Sequence, residues 1–334
     1  MKIGQALVAV TYNCNSRCSM CNIWREKNWE ELNVLFYRNL PNFKSVNISG
    51  GEPFLRKDIV DVVKTFDEIS DRIVISSNGL LPSLIEQKIR NMPEVGVGIS
   101  IDGIGDIHDK IRGIKGAYQK SLDTIHRLLK LEVSDLRIAL TINDTNADQI
   151  KPVYDLANEL GVEFTCAVAH NSDIYFKKND NDILKAESVA DHLNEIIINE
   201  LSTLTPKRWF RAYFYKGLID YIYKKKRILE CDAGRNSFFL DPYGDIYPCN
   251  ILNKKIGNLK LDSFDSIWSS DQAATVRKDV TSCQHNCWMI CTAASVMKAK
   301  PYFPVCWIVK NKIRYYWKSN NEIIERDESA DNYR

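Results

Sequence analysis

The feature that most constrains this chain is a short cysteine-rich run near its start. Cys14, Cys18 and Cys21 stand in the spacing C-x3-C-x2-C, within Thr11-Tyr12-Asn13-Cys14-Asn15-Ser16-Arg17-Cys18-Ser19-Met20-Cys21. The apolar run Ala6-Leu7-Val8-Ala9-Val10 leads directly into it. Thiols clustered on a loop at the end of a strand make a metal-site arrangement. Three of them fall one short of the four that a closed structural zinc site takes. Either a distant Cys or His completes the set, or the fourth position is open to a group that is not protein.

Bulk properties narrow the setting. A chain of 334 residues is long enough for one large or two medium domains with a substantial core. A net charge of +2 argues against a general nucleic-acid binder, and no specific nucleic-acid partner is expected. Met1-Lys2-Ile3-Gly4-Gln5 runs straight into a strand, without the apolar stretch and cleavage site of a signal peptide. No window approaches the roughly 18 apolar residues of a membrane span. Ten cysteines without an export signal point to a reducing compartment, so the cytoplasm is the expected location.

Six β-rich runs occupy the first half, at 6–10, 45–48, 72–76, 95–101, 137–142 and 163–169. Helical periodicity fills the gaps at 59–66, 84–89, 121–131 and 150–160, and a longer helix is expected over 183–204. Alternating strands and helices mean βαβ units and a parallel sheet. Each strand ends in small or polar residues: the cysteine loop, Ser49-Gly50-Gly51-Glu52-Pro53, Ser76-Ser77-Asn78-Gly79, Ser100-Ile101-Asp102-Gly103, Thr141-Ile142-Asn143 and Ala169-His170-Asn171. Active sites of parallel barrels form at such carboxyl ends. The expectation is an α/β fold, a partial (β/α)6 TIM-like barrel over 1–205. A basic-aromatic connector over 206–228, a cysteine-rich domain over 229–300, an amphipathic C-terminal helix over 301–319 and a disordered tail over 320–334 follow.

The cysteine triad resembles that of the radical S-adenosylmethionine superfamily, and Gly50-Gly51-Glu52-Pro53 resembles its GGEP element. The resemblance implies that Cys14, Cys18 and Cys21 hold a catalytic 4Fe-4S cluster whose fourth iron takes S-adenosyl-L-methionine. An electron passed to the sulfonium would then yield methionine and a 5′-deoxyadenosyl radical that abstracts hydrogen from a substrate. It further implies that Gly50, Gly51, Glu52 and Pro53 approach the methionine amino group. Asn78, Ser100, Asp102, Thr141 and Asn143 would line the ribose side, with a turn or helix-cap role as the alternative for each, and Arg112, in His108-Asp109-Lys110-Ile111-Arg112-Gly113, would meet the carboxylate. For Arg112 the alternative is a surface salt bridge. Met20 stands where relatives carry an aromatic residue, and a thioether can cover adenine equally well. Such an oxidoreductase needs a reducing partner of the flavodoxin or ferredoxin type.

A second cysteine set follows. Cys231 and Cys249 flank Phe238-Phe239-Leu240-Asp241-Pro242-Tyr243-Gly244-Asp245-Ile246-Tyr247, which reads as a β-hairpin. Cys283, Cys287 and Cys291 recur every four residues, a spacing that lines one helical flank. The pattern resembles the SPASM and twitch extensions of the same superfamily. It implies one auxiliary 4Fe-4S cluster drawing four ligands from Cys231, Cys249, Cys283, Cys287 and Cys291, with two clusters or a zinc site as alternatives. Cys166, mid-strand, and Cys306, in an apolar setting, read as packing residues.

The substrate is less legible. Peptide-modifying relatives often carry an N-terminal leader-binding domain, whereas the barrel strands here begin within the first residues. That tilts the expectation toward a small metabolite, sugar or lipid-linked glycan, with maturation of a ribosomal peptide as the alternative. His170 and Tyr175, after the last barrel strand, lie where substrate should sit. The basic-aromatic stretches 207–215 and 307–318 raise contact with a membrane surface. The plainer expectation for the second is a helix packed on the barrel with a solvated basic face.

Overall fold

The computed structural model describes residues 2–26 and 30–319, the side chains of 315–319 excepted. Six parallel strands form the heart of the molecule: β1 (Gln5–Thr11), β2 (Val46–Gly50), β3 (Ile73–Ser77), β4 (Gly96–Ser100), β5 (Leu136–Ile142) and β6 (Glu163–Val168). They pair in chain order, each parallel to the next. The crossovers carry α1 (Ile59–Asp67), α2 (Pro82–Ile89), α3 (Asp106–Arg112), α4 (Ala117–Lys130) and α5 (Ile150–Glu159). This is the expected partial barrel. β1 is buried on both faces, so it reads as a continuous apolar run. In β5, Leu136, Ile138, Leu140 and Ile142 are buried while Arg137, Ala139 and Thr141 are only half covered, and the strand alternates accordingly.

The main core lies between sheet and helices, with Val8, Ile48, Ile75, Ile99 and Ile138 packed against Val62, Phe66, Ile85, Ile125 and Val153. A smaller cluster on the other face of β1 joins Leu7 and Ala9 to Tyr12, Ile174 and Tyr175, with Cys14 and Cys21 packed against it. The cysteine loop thus sits on a dry floor.

Two later helices, α6 (Ala186–Ser202) and α7 (Pro206–Lys224), pack closely on each other. The segment expected as a connector is therefore mostly helix, and Tyr213, Phe214, Tyr215 and Leu218 of it are buried. Its aromatic residues occur on all sides, which hid the helical period. Its cations are spent internally. Arg208 meets the buried carboxylate of Glu200 at 2.8 Å, and Arg211 meets Glu163 at 3.1 Å.

The hairpin is present as β7 (Ser237–Leu240) and β8 (Asp245–Tyr247), followed by β9 (Gly257–Asn258). It does not found a separate sheet. β7 pairs parallel with β1, Leu7 opposite Phe239, so one nine-stranded sheet runs in the order β9-β8-β7-β1-β2-β3-β4-β5-β6. The second cysteine set is thereby joined rigidly to the strand that carries the first. Helices α8 (Phe264–Ser269), α9 (Asp271–Thr281), α10 (Ile290–Ala299) and α11 (Tyr302–Ser319) complete the chain.

α11 packs on α6 and α7 and leaves Lys310 and Arg314 solvated as expected, but apolar residues are exposed beside them. Ile308 is buried, Trp307 meets Tyr213 edge-on, and Lys312 turns inward to the carbonyls of Leu201 and Thr203 at 2.7 and 3.0 Å. Those carbonyls end α6, so the ammonium caps orphan acceptors. Val305, Val309 and Ile313 face solvent instead, and Cys306, expected as a packing residue, is exposed. Cys166 is buried in the core as expected. Among the described residues no helix is long and apolar enough to cross a membrane. The tail over 320–334 lies outside the described residues.

Candidate active site

The cysteine loop and the Gly-Gly turn are built against each other. Gly51 N–H donates to the Thr11 carbonyl and Glu52 N–H to that of Asn13, both at 2.8 Å. A Cβ on Gly50, whose φ is +134°, would fall 2.1 Å from the Thr11 carbonyl oxygen, and one on Gly51 would fall 2.3 Å from that of Asn13. The glycines thus serve close approach of two strand ends, a role the sequence reading gave to a ligand. Three other connections pin the loop. Arg17 and Ser19 N–H groups donate to the carbonyls of Arg112 and Ile111, at 2.9 and 2.8 Å. Asn22 N–H donates to the Phe176 carbonyl at 2.8 Å. Asn78 Nδ2 donates to Asn15 Oδ1 at 2.7 Å and to Ser16 Oγ at 3.1 Å, 4.0 Å from Cys14 Sγ. Asn78 therefore ties down the loop itself.

Charge is concentrated around the three thiols. Glu52 is fully buried and accepts from Phe54 N–H, Ser77 Oγ and Asn78 N–H at 3.1, 3.0 and 2.7 Å. Burial outweighs these donors and pushes its carboxyl up to about 7. Arg112 is no surface group: its Nε lies 2.6 Å from the fully buried Asp102, and its Nη1 lies 3.7 Å from Cys18 Sγ. Burial alone would lower its pKa, but Asp102 and Cys18 outweigh that and hold the guanidinium charged, above its ordinary value. Asp102 also accepts from Thr141 N–H at 2.8 Å, so its carboxylate is committed to protein partners rather than open to sugar hydroxyls. Burial pushes the Cys14 thiol up to about 11, Cys21 up to about 12, and Cys18 upward as well. Thiols held this way bind metal by giving up protons.

The remaining predicted residues divide. Met20 is buried against Cys18, Ile111 and Ala169, beside the loop. Pro53 is buried at the first position of a 3-10 turn, and Ser100 is half-buried at the end of β4. Asn143 Oδ1 accepts from Thr145 N–H at 2.9 Å, an Asx turn that gives it a local structural role. Tyr175 is buried, its hydroxyl 2.7 Å from Ser49 Oγ, and it braces the Gly-Gly strand end.

The second cysteine set also converges, though not along a helix. Cys283 and Cys287 lie on an irregular segment, and only Cys291 lies in α10. Asn286 there takes φ +49°, which breaks any helical run. Cys249, Cys287 and Cys291 share an apolar cluster with Ile251 and Met289. Cys231 and Cys283 lie within electrostatic reach of Cys249. Burial pushes Cys249 up to about 11 and Cys291 up to about 12. The residue that sequence reasoning missed is Arg227. Its Nη1 donates to the Cys287 carbonyl at 2.6 Å and to Thr292 Oγ1 at 3.1 Å, and the guanidinium lies 5.1 Å from the Trp288 ring. Its Nη2 is buried without a hydrogen-bond partner, and its charge lowers the Cys231, Cys287 and Cys291 thiols against the larger effect of burial. In sequence it was the last cation of Lys224-Lys225-Lys226-Arg227, within the stretch expected as a basic-aromatic connector.

Among the described residues no three His, Cys, Asp or Glu side chains gather closely enough for one metal ion. Buried thiols with an accompanying guanidinium at each set suit an anionic iron-sulfur cluster. A pocket of about 110 Å³ opens beside the second set, lined by Ala169, His170, Asn181, Tyr221, Lys225 and Cys287. His170 is buried and stacked on Tyr221, ring centroids 5.0 Å apart. Its Nδ1 lies 2.5 Å from the Val168 carbonyl, which only accepts, so Nδ1 carries the proton. Burial draws its pKa down to about 4, leaving Nε2 a neutral acceptor without a protein partner.

Residues 8–157 match the family model of the radical SAM superfamily, and residues 231–292 match that of an iron-sulfur cluster-binding domain, SPASM. The antilisterial bacteriocin subtilosin biosynthesis protein AlbA of Bacillus subtilis is 25% identical over 79% of this chain, which spans 59% of AlbA's length. The AdoMet-dependent heme synthase of Methanosarcina barkeri is 27% identical over 72% of each chain. In fold the chain is similar to native anSMEcpe with bound AdoMet and Cp18Cys peptide, at a TM-score of 0.62, 18% identity and 83% coverage of each chain.

Proposed function

The chain belongs to the radical S-adenosylmethionine superfamily and carries a C-terminal iron-sulfur domain, and from that premise we propose that it is an enzyme drawing hydrogen from a polypeptide side chain. A 4Fe-4S cluster on Cys14, Cys18 and Cys21, once reduced, supplies the electron that cleaves S-adenosylmethionine to methionine and a 5′-deoxyadenosyl radical. The protein's part is to orient and to exclude water. Asn78, Arg112 and the Gly-Gly turn hold the loop in place. Arg112, charged and buried, is suited to an anionic carboxylate, and Glu52 to an ammonium. Cys231, Cys249, Cys287 and Cys291, with Cys283 as the alternative fourth ligand, suit a second cluster, with Arg227 offsetting its negative charge.

The observation that carries the substrate reading is the polar pocket beside Cys287 of the second thiol set. His170 Nε2 requires a donor, and a pocket of about 110 Å³ suits one polar side chain or a similarly small fragment of a substrate. A bacteriocin biosynthesis protein among the relatives supports a polypeptide. The same pocket size also favours a small polar metabolite, which remains the second reading.

Anaerobic reconstitution tests the chemistry. About eight irons per chain, falling to about four in Cys14/Cys18/Cys21→Ala, are expected, with dithionite-dependent release of 5′-deoxyadenosine lost in that variant. Zinc in place of iron, or no 5′-deoxyadenosine, overturns the assignment. Deuterium passing to 5′-deoxyadenosine from a perdeuterated peptide digest supports the polypeptide reading. Transfer only from a perdeuterated metabolite extract replaces it with the second.

A further inference from the structure

Helix α11 turns apolar residues to solvent where a surface helix ordinarily shows charge. Tyr302, Cys306, Val309 and Ile313 recur at i, i+4, i+7 and i+11, which places them on one stripe. Tyr302, Val309 and Ile313 are 59%, 52% and 55% exposed, and Val305 beside them is 43% exposed. Ile198 on α6, against which α11 packs, and Leu204 in the turn beyond it are exposed as well. Exposed Lys310 and Arg314, one turn apart, line one edge of the stripe.

We infer that this face is a docking surface for an anionic lipid bilayer. Charge decides the occupant. From 302 to 319 the sequence holds no Asp or Glu but holds Lys310, Lys312, Arg314 and Lys318. A second copy docked on the same face about a two-fold axis would set the exposed Lys310 and Arg314 of the two copies against each other with no carboxylate on the helix to offset them. A bilayer with acidic headgroups accepts both parts of the face: Tyr302, Val309 and Ile313 enter the interface, and Lys310 and Arg314 meet the phosphates. The stripe lies on α11, which carries no thiol of either set, so it concerns where the enzyme works rather than its chemistry.

The test uses the full chain, prepared anaerobically with its iron, and vesicles of equal parts phosphatidylcholine and phosphatidylglycerol. Co-sedimentation at low ionic strength is expected, with little on phosphatidylcholine alone. Val309→Asp/Ile313→Asp is expected to lower the partition coefficient at least about tenfold, and Lys310→Glu/Arg314→Glu to abolish the preference for phosphatidylglycerol. Both variants replace exposed residues, so iron content and melting temperature serve as controls for folding. Absence of sedimentation at low ionic strength overturns the inference, as does binding that Val309→Asp/Ile313→Asp leaves unchanged. A wild-type dimer in solution that this variant converts to monomer assigns the face to self-association and equally overturns it.

Discussion

The ion pair of Arg112 and Asp102 offers the sharpest test of how the site is assembled. The Asp102 side chain is fully buried and that of Arg112 is 9% exposed, so neither charge has water to fall back on. Arg112→Met leaves a buried carboxylate with only the Thr141 N–H as donor, and Asp102→Asn leaves a buried guanidinium beside Cys18. Removing one partner of a buried pair costs about 3–5 kcal/mol. With roughly 2.1 cal/mol/K per residue of unfolding entropy, a chain of 334 residues has about 0.7 kcal/mol/K. Each single variant should therefore melt roughly 4–7 °C lower. The double variant Asp102→Asn/Arg112→Met removes both charges and should lose well under the sum of the two. The assay is a double-mutant cycle by denaturant unfolding of the iron-free protein, with melting temperature as a second measure. Additive losses, or a loss below about 1 kcal/mol in either single variant, would refute the claim that the two charges depend on each other.

Two further outcomes follow from the same neighbourhood. Gly51→Ala drives a Cβ to 2.3 Å from the Asn13 carbonyl oxygen and should lower both melting temperature and iron bound at the first triad, whereas Gly98→Ala, nearest neighbour at 3.4 Å, should leave iron content unchanged. Equal iron loss in both would point to general misfolding instead. Glu52 is held up at about 7 in the folded protein against an unfolded value of 4.5, so burial favours the protonated form. Its contribution to stability is present below pH 4.5 and declines as pH rises through about 7, by about 3 kcal/mol in all. Glu52→Gln removes that decline. Relative to wild type, the variant of the iron-free protein should gain stability between pH 5 and pH 8, as urea unfolding would show; a constant difference would exclude the assigned titration.

The parts that sequence could reach are those with short-range causes. The strand before Cys14 declared itself because burial on both faces leaves a long apolar run, and the strand before Gly50 because buried Val46 and Ile48 alternate with half-covered Asn47 and Ser49. The thiol triad was legible because its ligands lie within one loop. The error over Cys283, Cys287 and Cys291 shows the limit: spacing of four residues is necessary for a helical flank, but Asn286 at positive φ takes the segment out of a helix. Helix α7 was misread for a related reason, since its aromatic residues are needed on several sides at once.

Chain chemistry alone determined that thiols occur in two clustered sets and that six parallel strands carry the first. Side-chain type and local periodicity encode both, and neither depends on what is distant. Tertiary structure alone decided that β7 extends the barrel sheet beside β1, that Arg112 faces Asp102, that Arg227 enters the second thiol set, and that α11 shows its apolar stripe to solvent. Each of these is a choice among partners far apart in the chain, made by burial and charge compensation that only the closed fold brings into contact.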